Sequence, residues 1–227
     1  MGAGAWRARE HRDHVAPPGR TGLVAQKKTL IAREQDPTER AAWWERIAAL
    51  DPAAFVFLDE TSTPLTLTPR RARAPRGRRA VGRVPRGRWQ AVTLLATLTG
   101  HGLGPAVQLP GALDRDAFDT YVAAALAPTL RPGQVVIWDN LSVHKSARAR
   151  QLIEAAGGRV LPLPRYSPDL NPIELAFAKL KQALRRAQAR TFDAVVAATG
   201  AAFATVSTAD ARSFFAAAGY PLPGQHL

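Results

Sequence analysis

Apolar positions along the chain fall into short continuous runs and longer stripes of helical period. Trp43, Trp44, Ile47 and Leu50 recur at helical spacing behind Pro37, predicting a helix over 37–50 that Asp51-Pro52 breaks. Residues 54–58 form an apolar run ending in Asp59-Glu60, the pattern of a buried strand that delivers acids at its carboxyl end. A second strand is predicted over 64–68 and a third over 89–99, closed by Gly100, Gly102 and Gly104. Phe118, Tyr121, Val122 and Leu126 predict a helix over 115–127 with Asp114 as its N-cap. Residues 135–138 read as another buried strand, again ending in an acid, Asp139. A helix over 146–156 stopped by Gly157-Gly158 and a short strand over 159–163 follow. Asn171-Pro172 then opens a long helix to about Arg190. The order β-β-β-α-β-α-β-α predicts an α/β fold with a mixed five-stranded sheet flanked by helices.

Two further helical patterns extend it, one on Phe192, Val195, Val196, Phe203 and Val206, the other around Phe214-Phe215 with Gly219 as its stop. Four regions result: a basic tail or remnant over 1–26, a leading helix and linker over 27–50, a catalytic domain over 51–190 and a helical extension over 191–227. No apolar run reaches the ~18–20 residues that span a bilayer. Residues 1–20 lack the apolar core of a signal peptide, so a cytoplasmic, nucleoid-associated protein is expected. Cysteine is absent, which excludes disulfides and thiolate metal sites.

Charge narrows the partner. The formal net charge is +13 and the pI about 11.3, which points to a polyanion, nucleic acid before membrane. The excess is clustered: nine arginines and no acid lie between Arg70 and Arg88. Lys179, Lys181, Arg185, Arg186 and Arg190 crowd the long helix beyond its first turn, also without an acid. Two dense patches of one sign predict phosphate binding, with Arg73, Arg76, Arg78, Arg79, Arg88, Lys145, Lys181 and Arg185 as candidates.

Three acids are candidates for chemistry. Asp59 and Asp139 end buried strands, and ligands of open α/β sheets bind at such ends. Glu174 falls in the first turn of the long helix. Taken singly, each aspartate could be a polar residue leaving the core, and Asn171, Pro172 and Glu174 have the spacing of a capping box. Taken together in a basic protein, three carboxylates suit hard divalent cations that assist phosphoryl displacement. On the long helix, Ile173, Phe177, Leu180 and Leu184 form an apolar stripe, with Glu174, Ala178, Lys181 and Arg185 on the adjacent one. The acid therefore shares a face with two candidate phosphate ligands. Glu60 points to the opposite face of its strand from Asp59 and stays outside the triad.

These residues carry a resemblance. Phe57-Leu58-Asp59-Glu60-Thr61, Trp138-Asp139-Asn140-Leu141-Ser142-Val143-His144-Lys145 and Tyr166-Ser167-Pro168-Asp169-Leu170-Asn171-Pro172-Ile173-Glu174 resemble motifs of the IS630-type transposases of the IS630/Tc1/mariner superfamily. The interval between Asp139 and Glu174, thirty-four residues, is that of the superfamily's DDE signature. The resemblance runs from about Lys27 to Tyr220 and implies an RNase H-like fold. It also implies two Mg²⁺ (or Mn²⁺) ions on Asp59, Asp139 and Glu174, nicking of double-stranded DNA at transposon ends, and transfer of the freed 3′-OH to target DNA. Asn140 and His144 would stand behind the metal ligands or near DNA, or cap the helix that follows. Such transposases act as homodimers. The family's N-terminal helix-turn-helix region of about a hundred residues has no counterpart in residues 1–26, which fits the second frame of a split element with a separate helix-turn-helix polypeptide, a truncated copy, or an isolated catalytic domain. The excess of arginine over lysine suits a bacterial, GC-rich source. Two other readings stay open: a non-enzymatic DNA-binding remnant of a truncated element, and a cellular RNase H or resolvase-like nuclease.

Overall fold

The computed structural model describes residues 32–69, 71–84 and 90–224; the tail over 1–26 and the candidate Arg88 lie outside them. Glu34–Leu227 forms one compact unit. It opens with helix α1 (Pro37–Ile47), started by Asp36, whose carboxylate accepts from the backbone of Thr38.

Five strands form one sheet: β1 (Phe55–Pro64), β2 (Ala91–Thr99), β3 (Gly102–Pro110), β4 (Val135–Trp138) and β5 (Arg159–Pro162). Their order is β3-β2-β1-β4-β5, with β1, β2 and β3 antiparallel and β1, β4 and β5 parallel. The predicted mixed five-stranded sheet is present, but two of its strands differ from the sequence reading. β1 does not stop at Asp59-Glu60. It runs on to Pro64 because β2 pairs with it from Phe57 onward, whereas β4 pairs only with residues 55–57. Asp59 therefore lies just past the parallel seam while still inside an antiparallel ladder. No separate strand covers 64–68; Leu67 N–H turns back to the Pro64 carbonyl instead. The missing strand is β3, where Gly102, Gly104, Pro105 and Pro110 mask the strand pattern. An edge strand tolerates both residue types, because one of its backbone edges needs no ladder partner.

Among the described residues, six α-helices flank the sheet. After α1 come α2 (Arg115–Tyr121), α3 (Ala147–Ala155), α4 (Ile173–Ala187), α5 (Phe192–Phe203) and α6 (Thr208–Ala217). The helix predicted over 115–127 keeps its Asp114 cap, yet passes into a π turn at Val122–Leu126 and a 3₁₀ turn at Ala127–Thr129. Pro128 has no N–H to continue an α ladder.

Strand alternation divides the core into two layers. Phe55, Phe57, Val135 and Ile137 face Ile173, Ala176, Phe177 and Leu180 of α4, together with Trp43, Phe215 and Tyr220. Val56, Leu58, Val136 and Trp138 face Phe118, Val122, Leu126 and Ile153 on the other side. Burying side chains such as Phe177 and Leu180 is worth roughly 1.5–3 kcal/mol each, which fixes α4, and with it Glu174, against the sheet. Tyr220 adds a polar tie: its hydroxyl accepts from Trp43 Nε1 at 3.1 Å and donates to the Leu170 carbonyl at 2.8 Å. The C-terminal segment thereby anchors both α1 and the loop leading into α4. No single helix among the described residues is long and apolar enough to cross a membrane.

Candidate active site

Asp59, Asp139 and Glu174 line one cavity of about 450 Å³, together with Asn140, Lys145 and Asn171. It opens where the parallel seams end, since backbone pairing stops at Phe57–Ile137 for β1–β4 and at Trp138–Pro162 for β4–β5. Asp139 follows the last paired residue of β4, whereas Asp59 keeps its antiparallel pairing to Ala96 of β2.

Each acid is held differently. Asp59 is 6% exposed; its Oδ1 accepts from the Glu60 N–H at 2.8 Å and its Oδ2 from Asn171 Nδ2 at 2.8 Å. Burial, then the charges of Glu60, Asp139 and Glu174, push its carboxyl up to about 8. Asp139 Oδ1 accepts from the Leu141 N–H at 2.9 Å and lies 2.6 Å from His144 Nδ1. Glu174 is exposed as a residue, but its carboxyl head is partly desolvated toward the cavity. That desolvation raises its pKa, Lys181 opposes it, and Asp139 and Glu60 add to it.

Two sequence assignments change here. Asn171 does not cap α4: Pro172 occupies the cap position, no side chain caps the helix, and the Asn171 amide reaches Asp59 across 112 positions. The capping-box explanation of Glu174 therefore lapses. Its motif drew attention to Asn171, but cap spacing assigned it the wrong partner. His144 neither touches solvent nor caps a helix; it is 0% exposed, and Ser146 caps α3. The imidazole packs on Phe118 and Trp138 at centroid distances of 4.9 and 6.1 Å. Its Nε2 lies 2.9 Å from Glu60 Oε2, an ion-pair approach off the direction of a good hydrogen bond, which leaves both atoms without one. Burial lowers the imidazole pKa, but Asp139 and Glu60 outweigh it and push it up to about 9. Glu60 does occupy the face opposite Asp59, yet through His144 it bears on Asp139. Sequence alternation placed it correctly and missed that link. Asn140 lines the cavity and donates to the Leu163 carbonyl.

The donor set suits a hard cation. Asp139 Oδ2 and the Glu174 carboxylate accept no hydrogen bond among the described residues, and Asn171 Oδ1 is buried without a partner. Oxygen donors with spare lone pairs beside a carboxyl destabilised by like charge are what a divalent ion relieves. As placed, no three acidic or histidine side chains among the described residues stand close enough to hold an ion. Asp59 is bound instead by Asn171, and Asp139 lies against His144.

The basic candidates divide. Lys181 and Arg185 line an adjoining cavity of about 840 Å³ with Arg71, and it shares Glu174 with the first. Arg73, Arg76, Arg78 and Arg79 are exposed on an irregular segment and line neither cavity. α4 stops at Ala187, where Gln188 turns left-handed, so Arg190 lies beyond the helix predicted to reach it; two cations of this stretch prove structural. Lys179 Nζ pairs with Asp210 at 2.6 Å, and Arg190 donates to the carbonyls of Leu65 and Leu67.

Residues 54–196, more than half of the chain and spanning all three acids, match the family described as DDE superfamily endonuclease. The chain belongs to that family. A comparison with curated proteins by sequence returns no match. Among solved structures, the fold is similar to a pre-cleavage Mos1 transpososome (TM-score 0.69, 17% identity, 88% of this chain and 65% of that one). It is similar to the Mos1 mariner paired end complex with Mn (0.68, 18%, 87% and 63%). It is also similar to the catalytic domain of Mos1 mariner transposase (0.61, 16%, 86% and 94%). The likeness establishes the RNase H-like fold of this DDE endonuclease. The chain spans a little under two thirds of the Mos1 chains in the first two complexes.

Proposed function

We propose that this chain is the catalytic domain of an IS630-type, bacterial DNA transposase that cuts double-stranded DNA at transposon ends and joins the freed 3′-OH to target DNA. The observation that carries the reading is the meeting of Asp59, Asp139 and Glu174 on one cavity from three separate elements. Those three carboxylates would hold two Mg²⁺ or Mn²⁺ ions. Bound there, the ions supply Lewis acidity that activates a water and stabilises the leaving oxygen.

The chain's own residues do the rest. Asn171 fixes Asp59 by one oxygen, and its own amide oxygen stays available to a ligand water. His144 holds Asp139 by Oδ1 and leaves Oδ2 free toward the cavity. Asn140 fastens the loop after β4 to the backbone that follows β5. Lys145 at the first cavity and Arg71, Lys181 and Arg185 at the second hold phosphates of the strand being cut. Arg73, Arg76, Arg78, Arg79 and Arg88 extend that hold along the duplex. In the first step water attacks phosphorus and the bond to the 3′ oxygen breaks; in the second, that 3′-OH loses its proton and attacks a target phosphate, whose bond to the target strand's own 3′ oxygen breaks, that oxygen leaving as a hydroxyl. Homodimerisation, end recognition by a separate helix-turn-helix polypeptide, and residence at the cytoplasmic nucleoid belong to the same proposal.

The test is plasmid cleavage. Wild-type chain nicks supercoiled DNA in Mg²⁺ or Mn²⁺ and not in EDTA, while Asp139→Asn abolishes nicking and retains DNA binding. Nicking that persists in Asp139→Asn refutes the assignment.

A further inference from the structure

Tyr166 stands on the rim of the acidic cavity and serves neither the fold nor the chemistry proposed above. It lines that cavity, yet the residue is 57% exposed. Its backbone is left-handed, with φ +52°, a conformation that asparagine or glycine adopts far more readily than a bulky aromatic residue. A position selected only for its turn would carry one of those. Resting on the transposase reading, we infer that Tyr166 is a stacking platform for an unpaired nucleobase of the DNA strand at the cleavage point.

The turn that presents the ring is held rigidly. From the segment around α1, Gln35 Nε2 donates to the Tyr166 carbonyl at 3.1 Å and Glu39 Oε2 accepts from the Arg165 N–H at 3.2 Å. Arg40 grips Asp169 with two hydrogen bonds of 3.0 and 2.7 Å. The buried Ser167 donates from Oγ to the Arg165 carbonyl at 3.1 Å. The main chain is thus hydrogen-bonded on both sides while the residue stays more than half exposed, which is the arrangement that binds at low entropic cost.

Chemistry selects the occupant. Lys145 and Arg165 line the same cavity and suit phosphates, and the Leu141 side chain beside them is 47% exposed. An intact duplex offers phosphates and sugars there, which a flat phenol ring does little to bind. A base released from its partner offers a π face, which stacks on aromatic side chains largely regardless of sequence.

The experiment measures binding of the full chain in Ca²⁺ to a blunt duplex and to the same duplex with a short 5′ overhang carrying 2-aminopurine. Wild type is expected to prefer the overhang about tenfold and to quench the 2-aminopurine. Tyr166→Phe and Tyr166→Trp keep both effects, whereas Tyr166→Ala and Tyr166→Asn bind both duplexes equally and leave the probe bright. Tyr166→Asn also leaves Tm unchanged or raises it, since asparagine adopts the left-handed backbone more readily. Preference and quenching that survive in Tyr166→Ala overturn the inference and leave the transposase reading standing, as does a Tm loss of several degrees in Tyr166→Asn. Failure of wild type to bind either duplex overturns both.

Discussion

Replacing Asp59 by asparagine removes a buried titratable carboxyl while nearly keeping the side-chain shape that Asn171 contacts. In the metal-free protein the Asp59 carboxyl is held from 3.8 up to about 8, first by burial and then by Glu60, Asp139 and Glu174. The folded chain therefore keeps a proton on Asp59 between about pH 4 and 8 that the unfolded chain has already released. Unfolding in that window releases a proton, so metal-free stability falls as pH rises, by up to ~1.4 kcal/mol per pH unit. The ceiling over the whole window is roughly 6 kcal/mol. His144, pushed up to about 9, acts in the same direction, but only above its unfolded value of 6.5. The interval from about pH 4.5 to 6.5 thus isolates the carboxyls, and Asp59 should account for up to about 3 kcal/mol there. Urea unfolding in EDTA at those two pH values, for wild type and Asp59→Asn, reads the difference directly. Wild type should lose stability across the interval and Asp59→Asn should lose much less. Saturating Mn²⁺ should restore wild type at the higher pH and leave the variant unmoved. Parallel pH slopes for the two proteins would show that Asp59 ionises normally in the fold and would refute the electrostatic account of the site.

Three other outcomes are expected. His144→Ala leaves Asp139 and Glu60 without their shared partner, so calorimetric titration should show Mn²⁺ affinity reduced about 10–100-fold; unchanged affinity would separate His144 from the site. Arg190→Met strips charged donors from the Leu65 and Leu67 carbonyls. It should cost ~1–3 kcal/mol in urea unfolding, with DNA affinity in an anisotropy assay unaltered; a large loss of DNA binding would restore Arg190 to the phosphate surface. Replacing Arg76, Arg78 and Arg79 by alanine should weaken binding to any duplex and lower the salt slope by roughly 2–3, whereas an unchanged slope would remove this segment from the DNA interface.

Periodicity and punctuation along the chain determined much of this protein. Continuous apolar runs marked β1, β4 and β5, the stripe Ile173-Phe177-Leu180-Leu184 marked the buried face of α4, and motif spacing singled out Asp59, Asp139 and Glu174. Those features are local, or depend on a helix or strand repeat that one segment can display. Tertiary structure decided the rest, because it depends on partners distant in sequence. β3 exists because β2 supplies its ladder, although its glycines and prolines argue against a strand. Asn171 has the spacing of a cap, and only the approach of β1 shows its amide bound to Asp59. Glu60 lies on the wrong face for a ligand, yet the packing of His144 under Phe118 carries its charge to Asp139. Lys179 and Arg190 look like phosphate ligands until Asp210 and the Leu65 and Leu67 carbonyls take them. A residue's type limits what it can bond to; the folded chain chooses which of those partners it meets.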